Sequence, residues 1–83
     1  MITKGQKIIC SNPKGTSAVE LKFHSDPVLD NIVIVNSLKS KKYNDTWIIR
    51  EDIESWISKL RQEGYTEIKI EEDVEPSQKN KKK

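Results

Sequence analysis

One eight-residue stretch constrains the fold more than any other. In AVELKFHS, Ala18 to Ser25, the side chains of Val19, Leu21 and Phe23 fall on one side and those of Glu20, Lys22 and His24 on the other. A period of two is the mark of a β-strand with one face in a core and one in water. A sheet that is wet on one face belongs with antiparallel partners, because parallel sheets are covered on both faces. The flanking segments supply those partners. GQKIIC, Gly5 to Cys10, reads as a first strand, and the SNPKGTS that follows suits a turn with Pro13 second and Gly15 last. Ser25 to Asn31 reads as a turn or a short irregular crossing. Ile32 to Val35 is β-branched and apolar on both faces, which predicts a central strand or a strand at a subunit contact. A loop containing Asn44 and Asp45 then leads to a fourth strand, Thr46 to Ile49.

The periodicity changes after Arg50. Ile53, Trp56, Ile57 and Leu60 fall at i, i+3, i+4 and i+7, the stripe of a helix with one buried face. Glu51, Asp52 and Glu54 lie at its positive end, and Lys59 and Arg61 toward its negative end. Arg50 occupies the expected cap position, for which its side chain is poorly suited. Gly64 fits the left-handed position that ends a helix. Tyr65 to Asp73 predicts a last strand with Ile68 and Ile70 inward and a charged outer face. The expected fold is α+β: a small antiparallel sheet, β-β-β-β-α-β along the chain, with one amphipathic helix packed on one face. Residues 1–73 form the single domain, and the polar, lysine-rich residues 74–83 are expected to be a disordered tail.

A chain of 83 residues allows one modest core with a thin stability margin, which a homodimer would enlarge. The single cysteine rules out an internal disulfide. No leader is visible, and the longest apolar run, Ile32 to Val35, is far short of a membrane span; the expectation is a soluble cytoplasmic protein without membrane contact. Net charge is +2 but unevenly distributed. Residues 1–50 are basic by four charges, residues 51–77 acidic by six, and residues 78–83 basic by four. Such polarity steers partners or sets orientation in an oligomer.

Over residues 5–63, four strands followed by a helix resembles, in its order of elements, the single-stranded DNA-binding folds of the Whirly family and of the small transcriptional coactivators related to it in shape. No family motif accompanies that order, and the strand after Gly64 departs from it. No functional residue is carried across.

Catalytic and cofactor chemistry is not signalled. Cys10 and His24 are the only soft metal-ligand candidates, two where a structural zinc site takes four. Nothing in their flanks brings them together as nucleophile and base. The acids lie in solvated runs such as Glu71 to Asp73, and Gly5, Gly15 and Gly64 form no phosphate-binding loop. The expectation is no enzyme, no metal and no cofactor.

Binding is the positive reading. In SLKSKKYNDTW, Ser37 to Trp47, three lysines flank aromatic residues. If the first four strands pair in sequence order, Lys14 meets Lys39, Lys41 and Lys42 at one end of the sheet. Together with the tail lysines Lys79, Lys81, Lys82 and Lys83 they would contact phosphates with little sequence preference. An exposed Tyr43 ring would favour single-stranded DNA or RNA over duplex, whereas Trp47 is expected in the core beside Ile49. The alternative is a protein-interaction module, a small regulator or inhibitor. It would use an acidic helix and the sheet face opposite the helix, assigned to Ile9, Val33, Val35 and Ile48, with Val33 and Val35 at the interface.

Overall fold

A computed structural model describes residue 2, residues 5–39 and residues 41–72 of the chain. It contains five strands: β1 (Gln6–Ser11), β2 (Ala18–Phe23), β3 (Ile32–Ser37), β4 (Thr46–Ile49) and β5 (Glu67–Glu72). One helix, α1 (Ile53–Gln62), separates β4 from β5. The strands form a single sheet in the order β4-β3-β2-β1-β5, antiparallel at every step. The first four strands therefore pair in sequence order. The chain then leaves one edge of the sheet, crosses one face as α1, and returns on the opposite edge. Strand parity makes β4 and β5 run in the same direction, as a strand–helix–strand crossover requires.

Local chemistry accounts for each connection. Between β1 and β2 the Gly15 amide donates to the Asn12 carbonyl at 3.0 Å, and Gly15 has φ +72°. The Asn12 side chain closes the loop, accepting from the Ser17 amide at 3.0 Å and donating to Thr16 Oγ1 at 2.8 Å. The crossing from β2 to β3 is a 3₁₀ turn, Pro27–Leu29, capped by the Asp26 carboxylate accepting from the Val28 amide at 2.9 Å. In the β3–β4 loop Asp45 takes φ +53°, and its amide donates to Asn36 Oδ1 at 2.7 Å.

The helix begins later than its charge pattern implies. A 3₁₀ turn, Arg50–Asp52, precedes it, and neither start has a side-chain cap. The Arg50 amide instead donates to the Asn31 carbonyl at 2.9 Å, so the sheet satisfies the entry. At the other end the Tyr65 amide donates to the Leu60 carbonyl at 2.9 Å and the Gly64 amide to the Arg61 carbonyl at 3.0 Å. With Gly64 at φ +106°, this is a Schellman motif. Its apolar contact joins Tyr65 to Leu60, both buried.

The core lies between α1 and one sheet face. Ile8, Cys10, Val19, Leu21, Phe23, Val33, Val35 and Ile48 meet Ile53 and Leu60 there, with Ile2, Tyr43 and Tyr65 closing the margins and Trp56, Ile57 and Ile68 packed against it. Register fixes these memberships. Val35 lies opposite Leu21 and Val33 opposite Phe23, so the inward face of β2 places both valines beneath the helix at 0% exposure. Their expected place at an open interface is thus corrected: Val33 and Val35 are core residues, and so is Ile48. Ile70 departs from expectation in the opposite direction. It lies on the helix side of the sheet but on the edge strand, beyond the helix's cover, and is 53% exposed. No helix among the described residues is long and apolar enough to cross a membrane. The expected tail, 74–83, lies outside the described residues.

Candidate functional site

The loop lysines do gather at one end of the sheet. Lys39 Nζ donates to the Gly15 carbonyl at 2.8 Å, which ties the β3–β4 loop to the β1–β2 turn that carries Lys14. The gathering is directed inward, however. Lys42 Nζ donates to Glu63 Oε1 at 2.9 Å, and the Tyr43 hydroxyl donates to both Glu63 oxygens at 2.9 and 3.0 Å. Tyr43 is only 9% exposed, edge-on to Trp56 at 5.4 Å, with the Lys59 ammonium 5.4 Å from its ring centre. It offers no open ring for a base to stack on, which corrects its expected role as a platform. Lys14 and Lys41 are exposed. Lys79, Lys81, Lys82 and Lys83 lie outside the described residues.

Glu63 organises this corner. It follows the last residue of α1, where the helix dipole is unfavourable to a carboxylate. The hydrogen bond from Lys42, followed by that from Tyr43, holds its carboxyl below the ordinary carboxylate range. The same bond raises Lys42, while burial and then the Glu63 contact raise the Tyr43 hydroxyl. The cluster fastens the β3–β4 loop to the helix end.

Cys10 and His24 do not meet. The Cys10 side chain is fully buried on the helix side, where burial pushes the thiol up to about 11, against a smaller opposing effect of Arg61. A neutral thiol in a core is a poor nucleophile. His24 follows β2 at the opposite face, its Nδ1 accepting from the Asp26 amide at 2.9 Å. Among the described residues no three His, Cys, Asp or Glu side chains converge on a metal position.

The other sheet face is more distinctive. The register places Trp47, Ile34, Lys22, Lys7 and Glu71 in one row from β4 to β5. The next row holds Ile49 and Ile32, with His24 beside them through its amide bond to the Ile32 carbonyl at 2.9 Å. Trp47 is 53% exposed and Ile49 45%; Ile32 and Ile34 are half-buried. The His24 ring stands edge-on to Trp47 at 4.9 Å, holding the indole against the sheet. The β3–β4 half of this face is therefore apolar. Toward β1 and β5 it becomes charged, with Lys7 paired to Glu20 at 3.2 Å and Lys69 to Glu71 at 3.6 Å. Lys22, next to Ile34 in the register, is in no ion pair among the described residues.

Of the residues assigned to the open face, Ile9 belongs there, half-buried beside Glu20 and Lys69 in the register. Trp47, Ile49, Ile32 and Ile34 were missed. No signal in β3 itself could have found them: it is apolar on both faces, and the register that pairs Val33 with Phe23 and Val35 with Leu21 is what sends Ile32 and Ile34 outward.

No protein-family model matches the chain, and no curated protein or solved structure matches it at a significant level. The functional reading rests on this chain's own surface.

Proposed function

We propose that this domain is a protein-interaction module, a small regulator or inhibitor, that docks through the open half-face of its sheet formed by Trp47, Ile34, Ile32 and Ile49. The observation that carries the reading is Trp47: a large apolar ring half in water, braced by His24 and continuous with three isoleucines. Contiguous exposed apolar surface on a small domain marks an interaction site, and tryptophan is the residue type that most often dominates such contacts. The ammonium of Lys22 at the margin, in no ion pair among the described residues, defines the partner's chemistry. It is a protein with an apolar centre and a carboxylate beside it. The phosphate-binding reading has less support, because Lys42 and Lys39 are engaged within the domain and Tyr43 is covered.

The test uses the full chain to capture its partner from an extract of its own cells, followed by calorimetric titration of that purified partner. Trp47→Ala should weaken the complex by about tenfold or more, and Lys22→Glu should weaken it too. Joint replacement of Lys39, Lys41 and Lys42 by Ala should leave it intact. Undiminished affinity in Trp47→Ala would overturn the reading. So would salt-sensitive binding to an oligothymidylate strand that the triple lysine variant abolishes, which would restore the nucleic-acid function.

A further inference from the structure

We propose that β5 is a self-pairing edge, at which a second copy of this chain adds its own β5 antiparallel across a two-fold axis at Ile70, making one ten-stranded sheet. β5 is a terminal strand of the sheet, matched to β1 over all six of its residues. Its other side has no neighbouring strand among the described residues, and such a row of backbone donors and acceptors is a template for another strand. The side chains select both the occupant and the register. A two-fold axis perpendicular to the sheet keeps both helices on one side and opposes residues of equal parity.

Centred on Lys69, that arrangement sets Lys69 against its own copy and Glu67 against Glu71, so every pair on the open face is of like charge. Centred on Glu71, it sets two glutamates face to face. Centred on Ile68, it pairs Glu67 with Lys69 but spends its apolar pair on Ile68, which already packs on the core, and leaves the exposed Ile70 opposite Thr66, outside the strand. Centred on Ile70, the three central pairs are all favourable. Ile70 meets Ile70, Lys69 meets Glu71 of the second copy, and Glu71 meets its Lys69. Cross-strand partners of this kind, an apolar pair and opposite charges, are what stabilise an antiparallel pair. Glu72 of the second copy then lies opposite Ile68, beside a shallow groove of about 290 Å³ lined by Glu54, Ile57, Ser58, Arg61 and Ile68. Arg61 is the cation in that groove. The exposure of Ile70, anomalous on the helix side of a sheet, is accounted for by this partner. The surface is separate from the Trp47 face, so the two proposals succeed or fail independently.

The test is sedimentation equilibrium of the full chain across a concentration series, with circular dichroism to verify that each variant folds. The wild type should show reversible monomer–dimer association. Lys69→Glu alone and Glu71→Lys alone each turn two attractive cross-strand pairs into repulsive ones and should raise the dimer dissociation constant about tenfold. The double exchange restores both pairs in reversed order and should bring the constant back toward wild type. Ile70→Lys should abolish association while the domain stays folded. Hydrogen exchange of the β5 amides should slow as concentration rises. A mass of one chain at every concentration would overturn the proposal, as would a dimer indifferent to the Lys69 and Glu71 reversals, or one lost in Trp47→Ala instead.

Discussion

Glu63 shows how one residue can hold a loop to a helix from an unfavourable position. Its carboxylate sits at the negative end of α1 and is retained by Lys42 and the Tyr43 hydroxyl. Tyr43→Phe removes one donor without changing the ring's contact with Trp56. The expected loss is about 1 kcal/mol at neutral pH, measured by urea denaturation. The pH dependence follows from the folded pKa of Glu63 lying below its ordinary 4.5. The contribution is fully present above the ordinary value and is lost as pH falls through the lower folded one. The gap between wild type and Tyr43→Phe should therefore be widest near neutrality and narrow below pH 4.5. Most of this residue-scale chemistry was not legible in the sequence, since Tyr43 and Glu63 are twenty positions apart. A loop tyrosine among lysines has the same composition whether it stacks on a base or donates to a distant carboxylate.

Elements were far more legible, because the pattern that specifies each lies within its own residues, even though packing stabilises it. The period of two in β2 and the stripe of α1 each specify a buried face without reference to the rest of the chain. The end of α1 was equally readable: Gly64 supplies positive φ and Leu60 and Tyr65 the buried pair. Gly64→Ala should destabilise the domain by about 1–2 kcal/mol, read as a fall in denaturation midpoint with an unchanged slope. Space is not the reason, since a methyl group there would meet nothing within 4 Å. The penalty is conformational. The helix start was less readable because its orphan amides depend on tertiary neighbours. No side chain caps them, and a 3₁₀ turn anchored by Asn31 takes the place of a cap.

For the whole molecule the decisive fact is which sheet face α1 covers. Val33 and Trp47 test it as a pair. Val33→Ala, beneath the helix, should cost about 2 kcal/mol through lost burial and a residual cavity. Trp47→Ala, on the open face, should change stability by less than about 0.5 kcal/mol despite removing a far larger side chain. Both values come from chemical denaturation of the two variants beside wild type. Equal costs would mean that the open face is packed.

The sequence by itself determined the inventory: four strands, a helix and a fifth strand, the turn at Asn12 to Gly15, the stop at Gly64, and an antiparallel sheet wet on one face. These features are set by spacings of two to eight residues and by the backbone freedom of single glycines. Only the tertiary structure decided which isoleucines and valines face the helix. β3 is apolar on both sides, so its own pattern is symmetric, and a shift of one residue would exchange its faces. Pairing with β2 breaks that symmetry. It places Val33 and Val35 in the core and leaves Ile32, Ile34, Trp47 and Ile49 on the side where a partner can reach them.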